Sequence, residues 1–315
     1  MSPCPRELWF TAVMEIEPPI AYLERIRAYY LGLGYGVPYR WAQFDDVLFT
    51  VPNKALSQCR IGLVTTAAPY RAGRGDQGPG AEYNGDAKFY SVYAAPVART
   101  PDVRISHVAY DRVHTSAEDP NSWFPLAQLK RAAKEGRIGE VSPRFYGLPT
   151  NRSHTTTEEV DCPGLLREMQ FDGVDAAIIV PNCPVCHQSA AFAARHLERG
   201  GIPTVVMGCA RDIVEHVGVP RFLFSDFPLG NAAGPPHDKD GQEITLNLAL
   251  DLFKSAKAPR TIVQSPLKWP GPDGWKRDYS NIELLSEGEI ARRRAAFDTQ
   301  KSIARTRRDE IKTAE

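Results

Sequence analysis

Residues 174–207 read VDAAIIVPNCPVCHQSAAFAARHLERGGIPTVVM, and this stretch decides the fold class. The apolar run at 174–180 predicts a buried strand, residues 187–199 predict a helix, and residues 202–207 predict a second strand. Gly200 and Gly201 mark the turn between the last two. A strand, a helix and a strand in this order form a βαβ unit, which favours a parallel sheet with right-handed crossovers.

The rest of the chain extends this α/β pattern. A helix is predicted at 19–34, a buried strand at 61–66 and a further helix at 124–135. The stretch 137–157 is rich in Pro, Gly and Thr and is interpreted as the link between two halves. We therefore predict a doubly wound α/β protein with parallel sheets in two related Rossmann-like lobes and a cleft between them. Its parts are a first lobe at 1–150, a second lobe at 151–285 and a charged helical tail at 286–315.

Two segments have open interpretations. Residues 71–86 contain five glycines and no apolar period, so they predict a mobile surface loop, either a lid beside a pocket or an ordinary connection. The tail is polar with few apolar anchors. It is interpreted as a solvated helix, with a partner-binding arm as the alternative.

Composition limits the classes of function. The 315 residues include 38 Lys plus Arg and 38 Asp plus Glu, so the formal net charge is zero. This balance gives no global attraction to nucleic acid or to an anionic membrane. The absence of a long apolar run and the unsuitable N-terminal sequence MSPCPRELWF argue against a membrane span and a signal peptide, so we expect a cytoplasmic protein. The expected partners are a small-molecule substrate and proteins, and we also expect a homo-oligomer.

Among six cysteines, Cys183 and Cys186 form the one close pair. Pro184 suits the first turn of a helix, which puts Cys183 at or next to the N-cap and Cys186 within the first turn. Free amides and the helix dipole stabilise a thiolate there. Cys183 is therefore predicted to be the more exposed, low-pKa thiol, and Cys186 the partner that closes a disulfide.

Two other interpretations of the pair remain open. A CxxC can be half of a structural zinc site, although the remaining ligands would have to come from isolated residues such as Cys162, Cys209, His107 and His154. The pair can also be two buried, inert cysteines. The redox interpretation is favoured, and no bound metal is predicted.

Further candidate residues follow predicted strands. His187 has two interpretations. It stabilises the thiolate or transfers protons, or it is a plain capping or packing residue. The other candidates were chosen because they lie at the ends of predicted strands and carry side chains that can transfer protons or bind a substrate. His107 and Asp111 are candidate catalytic residues, and the candidate substrate-binding residues are Thr65, Thr66, Tyr110, Cys209 and Arg211.

Four segments carry a resemblance to a known family. They are RISHVAYD at 104–111, FPL at 124–126, DGVD at 172–175 leading to PVCHQS at 184–189, and FPLG at 227–230. From about Ile61 to Gly230 the chain resembles the selenoprotein B subunits of glycine, sarcosine and betaine reductase, and most closely the selenoprotein subunit of D-proline reductase.

The resemblance implies a reductase. The position of Cys183 looks like that of the family's selenocysteine nucleophile, and Cys186 matches the neighbouring thiol. The family reactions cleave a carbon–nitrogen bond, so the expected function is thiol-dependent reductive cleavage of a small molecule. No bound cofactor is expected. We expect an external thioredoxin-like dithiol as reductant, and a partner subunit or an electron-donor protein. In the family a pyruvoyl group on another subunit activates the substrate, and nothing in this chain looks like its precursor. The alternative functions are a dithiol redox relay or sensor without its own substrate and a zinc-binding site at the CxxC.

Overall fold

The computed structural model describes residues 17–272 and 274–314. Cys4 and the N-terminal sequence considered above lie outside this range. The helices, in chain order, are α1 (Tyr22–Gly32), α2 (Leu126–Lys134), α3 (His154–Thr156), α4 (Cys162–Phe171), α5 (Pro184–Arg199), α6 (Arg211–Val217), α7 (Lys239–Ser255), α8 (Trp275–Asp278) and α9 (Glu287–Ala314). A π-helical turn at Thr157–Asp161 joins α3 to α4.

One eight-stranded sheet forms the centre of the protein. The strands, in chain order, are β1 (Arg60–Thr65), β2 (Ala68–Pro69), β3 (Tyr93–Pro96), β4 (Val103–Arg104), β5 (Glu140–Val141), β6 (Arg144–Gly147), β7 (Ala176–Val180), β8 (Thr204–Gly208), β9 (Arg221–Phe224) and β10 (Thr261–Gln264). The sheet order is β10-β9-β8-β7-β1-β6-β3, with β5 also paired to β1, while β2 and β4 form a separate antiparallel pair. All pairings in the large sheet are parallel except that of β3 with β6. The predicted α/β class with a largely parallel sheet is confirmed.

The arrangement in two lobes is not confirmed. Strand β1 of the predicted first lobe pairs along its length with β7 of the predicted second lobe, from Ile61 opposite Ala176 to Thr65 opposite Val180. The two halves therefore share one continuous sheet. Local sequence patterns do not reveal this pairing because it joins residues more than a hundred positions apart.

The stretch predicted as a link between halves is part of the sheet. Residues 137–157 contain β5 and β6, and β6 lies between β1 and β3. Phe145, Tyr146 and Leu148 are buried in this stretch. The sequence hides β6 because it has only four residues and prolines lie close to both ends.

Helices cover both faces of the sheet, as side-chain alternation along the strands requires. Ile178 and Val180 face a core shared with α1, α2 and α7. Ala177 and Ile179 face the opposite core, shared with α4 and α5. Because both faces are covered, β7 is apolar along its whole length and fully buried.

After β1, the chain first adds β3 and β6 on one side of this strand. It then adds β7, β8, β9 and β10 on the other side, so the direction of strand addition reverses at β1. In open α/β sheets, ligands bind beyond the carboxyl ends of the strands at such a reversal. At this edge the Asn182 amide donates a hydrogen bond to Thr66 Oγ1 at 3.0 Å, which joins the two loops that leave β1 and β7.

The tail helix α9 and the glycine-rich loop pack together near the same edge. Gly85 donates from its amide to Gln300 Oε1 at 2.9 Å, and the Tyr90 hydroxyl donates to the Ala304 carbonyl. Phe297 contacts Tyr30, with ring centroids 5.6 Å apart. The tail is therefore helical, as predicted, and docks on the rest of the chain along one face. No helix in the described part of the chain has the length and apolar character that crossing a membrane requires.

Candidate active site

Cys183 is the N-cap residue of α5, as the sequence predicts. Its backbone is extended (φ −149°, ψ 168°), Pro184 takes the first helical position, and the Cys186 amide donates to Cys183 Sγ at 3.2 Å. The proline has no amide hydrogen to leave unpaired in the first turn. The Cys186 amide in the first turn of the helix therefore points toward the Cys183 sulfur.

The second sulfur has two polar neighbours from other elements. Thr150 Oγ1 lies 3.0 Å from Cys186 Sγ. A ring nitrogen of His107 and the sulfurs of Cys183 and Cys186 all lie within 4.8 Å of one another. The Nδ1 atom of His107 is buried and has no hydrogen-bond partner among the described residues. The imidazole is thus held against the two sulfurs.

Electrostatics favour one thiolate shared by the pair, centred on Cys186. Burial raises the pKa of Cys183 well above its usual range, and the charge on Cys186 raises it further. Burial also opposes ionisation of Cys186, but hydrogen bonding with Cys183, the charge of His107 and hydrogen bonds with His107 and Thr150 outweigh it, so the pKa of Cys186 falls well below its usual range. The predicted order of acidity, with Cys183 the lower, is therefore corrected. The free amide of the helix reaches Cys183, but the side-chain donors reach Cys186.

His187 lies behind the pair and is fully buried. Its Nδ1 donates to the Cys183 carbonyl at 2.7 Å, and its Nε2 accepts from the amides of Cys209 and Ala210 at 3.0 and 3.2 Å. Burial lowers the pKa of His187 to about 4. With both ring nitrogens bonded to backbone, the neutral ring ties the N-cap of α5 to the end of β8, which matches the predicted capping alternative.

Cys183 faces a cavity of about 430 Å³. Tyr30, Tyr83 and Phe89 supply aromatic surface, and His107, Thr150 and Asn151 supply polar groups. Five basic residues complete the polar lining, namely Lys88, Arg152, Lys301, Arg305 and Arg308. The volume suits a small molecule.

Several predicted site residues lie near the sulfurs without lining the cavity. Thr65 Oγ1 accepts from the Ala67 amide at 3.1 Å, and Thr66 bonds the loop after β7 as described above. Cys209 is buried beside His187, and burial raises the pKa of Cys209 to about 12. These groups shape the loops at the sheet edge.

The remaining predicted residues lie outside the cavity lining. Asp111 binds His114 Nδ1 at 3.0 Å and accepts from two backbone amides. The Tyr110 hydroxyl donates to the Ser116 carbonyl, and Arg211 pairs with Glu215 at 2.9 Å on the helix surface. Of the ten predicted residues, the structure brings His107, Cys183 and Cys186 together at the cavity.

Sequence reasoning missed Thr150 and Arg152 because they lie in the stretch interpreted as a link. Arg152 adopts a left-handed backbone (φ 58°) just after β6, an uncommon conformation for a residue other than glycine. The three basic residues of α9 were missed because the tail was interpreted as solvated. No local pattern in the sequence signals that either segment reaches Cys183.

Comparison with known proteins supports the resemblance. The sequence model of the family described as glycine/sarcosine/betaine reductase selenoprotein B matches residues 31–182. The D-proline reductase subunit gamma of Acetoanaerobium sticklandii is 27% identical over 225 residues, covering 70% of this chain and 89% of that subunit.

This chain is similar to the selenoprotein B reductase subunits. The glycine reductase complex component B subunit gamma of Peptoclostridium acidaminophilum is 27% identical, with 64% of this chain and 46% of that subunit covered. The betaine reductase complex component B subunit beta of the same organism is also 27% identical, with 59% of this chain and 43% of that subunit covered. The chain thus spans most of the D-proline reductase relative but less than half the length of the other two. No solved structure matches the chain.

The family match ends at Asn182, the residue before the cavity-facing Cys183. It includes His107, Thr150 and Arg152, which the fold brings to the same cavity. The predicted resemblance to the selenoprotein B reductases is therefore confirmed, and it extends to the segments that surround the two sulfurs.

Proposed function

We propose that this chain is a thiol-dependent reductase that cleaves a carbon–heteroatom bond, in particular a carbon–nitrogen bond, of a small molecule. The observation that carries the proposal is the position of Cys183 at the start of α5, on the wall of a cavity, with a second sulfur beside it. The names of the relatives, which are reductase subunits, support the same class of reaction.

In the first step Cys183 attacks the substrate carbon. The Cys186 thiolate takes the Cys183 proton as the carbon–sulfur bond forms, and the carbon–nitrogen bond breaks with its electron pair on nitrogen. The amine leaves with a proton from the surrounding solution. The low pKa of Cys186 and the proximity of the two sulfurs support this exchange.

In the second step Cys186 attacks the Cys183 sulfur. His107 accepts the Cys186 proton, the sulfur–sulfur bond forms, and the carbon–sulfur bond breaks with its electron pair on carbon. The carbon takes a proton and leaves as the reduced product. The dithiol has then supplied two electrons, and an external thioredoxin-like dithiol must reduce the resulting disulfide. A reducing compartment such as the cytoplasm suits this cycle.

Partner subunits are part of the proposal, because the relatives belong to reductase complexes by name. One partner supplies the carbonyl group that activates an amine, or the substrate is electrophilic enough to react without it. Sulfur is a poorer leaving group than selenium, so a chain with cysteine at this position suits a more reactive substrate.

Turnover by cysteine variants tests the proposal. The reduced protein is incubated with D-proline, sarcosine, glycine betaine and simple nitroalkanes, with dithiothreitol as the electron donor. For any substrate reduced, Cys183→Ser should abolish turnover while the circular dichroism spectrum is unchanged, and Cys186→Ser should retain a substrate adduct on Cys183. Cys162→Ser is the matched control, since that buried thiol lies in α4, away from the cavity. Full turnover by Cys183→Ser excludes the mechanism.

A metal site is the second candidate function, and the position of His107 favours it. Two thiolates and one imidazole within 4.8 Å form a ligand set that suits Zn²⁺ with one open coordination position. Cys162, Cys209 and His154 are not part of this group. Purified protein should then contain one zinc per chain that is lost in the His107→Ala variant, whereas the reductase proposal requires activity without zinc. Elemental analysis of active protein decides between the two.

A further inference from the structure

The cavity above Cys183 has a strong excess of positive charge. Five basic residues line it, and none of the described aspartates or glutamates does. They come from three separate segments of the chain. Lys88 precedes β3, Arg152 follows β6, and α9 supplies the last three, which are Lys301, Arg305 and Arg308. The fold thus gathers these charges at one place from distant parts of the sequence.

The cations in the cavity are left without carboxylate partners. In the described part of the chain, no carboxylate lies within ion-pair distance of Lys88, Arg152, Lys301 or Arg305. Arg308 approaches only its exposed neighbour Asp309, at 3.6 Å. Burial, together with the charge of Arg152, lowers the pKa of Lys88 to about 8. This lysine is therefore charged at neutral pH, although burial and the positive charge of Arg152 both disfavour its charged form.

Two buried or half-buried arginines elsewhere in the protein show how such a charge is neutralised. Arg144 pairs with Asp172 at 2.9 Å, and the fully buried Arg221 pairs with Glu198 at 3.0 Å. Unpaired like charges around one cavity repel each other and destabilise the fold. Five basic side chains line the cavity, and one thiolate of the dithiol would supply only one compensating negative charge.

We infer that the cavity binds a small molecule with at least two negative charges, such as a dicarboxylate or a phosphorylated acid. Arg152 and Lys88 bind one anionic group close to the sulfurs, and the cations of α9 bind the other. Guanidinium groups suit carboxylate and phosphate oxygens because they donate two parallel hydrogen bonds. That this anion is the molecule attacked by Cys183 rests on the proposed function, whereas its binding does not.

Calorimetric titration of the Cys183→Ser chain tests the inference, because this variant binds without reacting. The probes are succinate and pyrophosphate, with acetate as the singly charged reference. We expect a dianion to bind at least about tenfold more tightly than acetate, with affinity falling as salt rises. Tighter binding of pyrophosphate than of succinate would indicate a phosphorylated ligand, and the reverse order a dicarboxylate.

Two variants locate the site. Arg152→Gln and Arg305→Gln should each weaken dianion binding by about tenfold. The control is Arg292→Gln on the same helix, where Arg292 pairs with Glu289 and lies outside the cavity. Equal affinity for acetate and both dianions, or equal affinities in all three variants, overturns the inference. Because the titration uses a chain that cannot react, its failure is distinct from a failure of the reductase proposal.

Discussion

At the scale of single residues, the two sulfurs of the dithiol have different surroundings and therefore different tasks. Cys183 is 6% exposed and faces the cavity, whereas Cys186 is fully buried. Side-chain groups of other elements reach Cys186, and they favour the thiolate form of this sulfur and lower its pKa. In the proposed mechanism, accessibility and not resting acidity selects Cys183 as the residue that attacks the substrate.

The neutral, buried His187 predicts a pH dependence of stability. Its pKa is about 4 in the folded protein, below the usual value of 6.5. Because the folded pKa is lowered, the stabilisation is complete above pH 6.5 and is lost as the pH falls toward 4. As the pH falls through this window, the difference in unfolding free energy between the wild type and His187→Asn should shrink by about 1.4 kcal/mol per pH unit.

Urea denaturation at several pH values measures this difference. If His187→Asn and the wild type lost stability in parallel from pH 7 to 4, folding would not lower the pKa of His187. His216→Asn is the control, because this histidine is less buried and lies in the last turn of α6.

The residue scale also shows where prediction from sequence stops. The N-cap position of Cys183 followed from Pro184 and the apolar run before it, since both act locally. The contacts of His107 and Thr150 with the sulfurs were not predictable, because they depend on how loops from separate strands meet. Arg152 carried no signal in the sequence at all.

At the scale of elements, α9 is the least expected contributor to the cavity. It docks through Phe297, whose ring contacts Tyr30, Tyr35 and Tyr83. Ala304 is also buried, whereas Ile303 is exposed. The polar composition of the tail concealed this contact face because only a few of its positions are apolar.

Removal of the aromatic ring of Phe297 should weaken the packing of α9 on the rest of the chain. Phe297→Ala removes most of the apolar contact that holds α9, so its amides should exchange with deuterium about tenfold faster or more. Ile303→Ala on the exposed face is the matched control and should leave exchange unchanged. Unchanged protection of α9 in Phe297→Ala would mean that its polar contacts alone hold the helix.

The predicted bounds of β7 and α5 agree with the structure to within three residues at each end, whereas β6 was missed. The bounds of β7 and α5 depend on local signals, which are the apolar run of the strand and the capping residues of the helix. The short strand β6 exists because β1 and β3 flank it, and two nearby prolines masked it in the sequence. Pairing between distant segments therefore decided the part of the fold that sequence patterns did not reveal.

At the scale of the whole molecule, one sheet joins the two halves, and a buried ion pair of the second half is hydrogen-bonded to the first. Glu198 Oε1 binds Arg221 at 3.0 Å with both side chains fully buried, and Glu198 accepts a hydrogen bond from the Thr50 amide. Thr50 belongs to the predicted first lobe and the other two residues to the second. The cavity is thus built on a single framework.

This framework predicts one cooperative unfolding transition, whereas two separate lobes would give two. Glu198→Gln leaves the Arg221 charge buried and uncompensated, so it should lower the unfolding free energy by about 3–5 kcal/mol. Glu215→Gln, which breaks the exposed pair with Arg211, is the control and should change it little. Calorimetry that resolves two transitions would contradict the single framework.

The central claim is that Cys183 attacks and Cys186 resolves, and a neutral disulfide probe tests it without a known substrate. Reduced protein is mixed with one equivalent of 4,4′-dithiodipyridine, and peptide mass spectrometry locates the products. We predict a Cys183–Cys186 disulfide in the wild type and a stable pyridyl adduct on Cys183 in Cys186→Ser. An adduct that persists on the wild-type protein, or one that forms first on Cys186, would contradict the account.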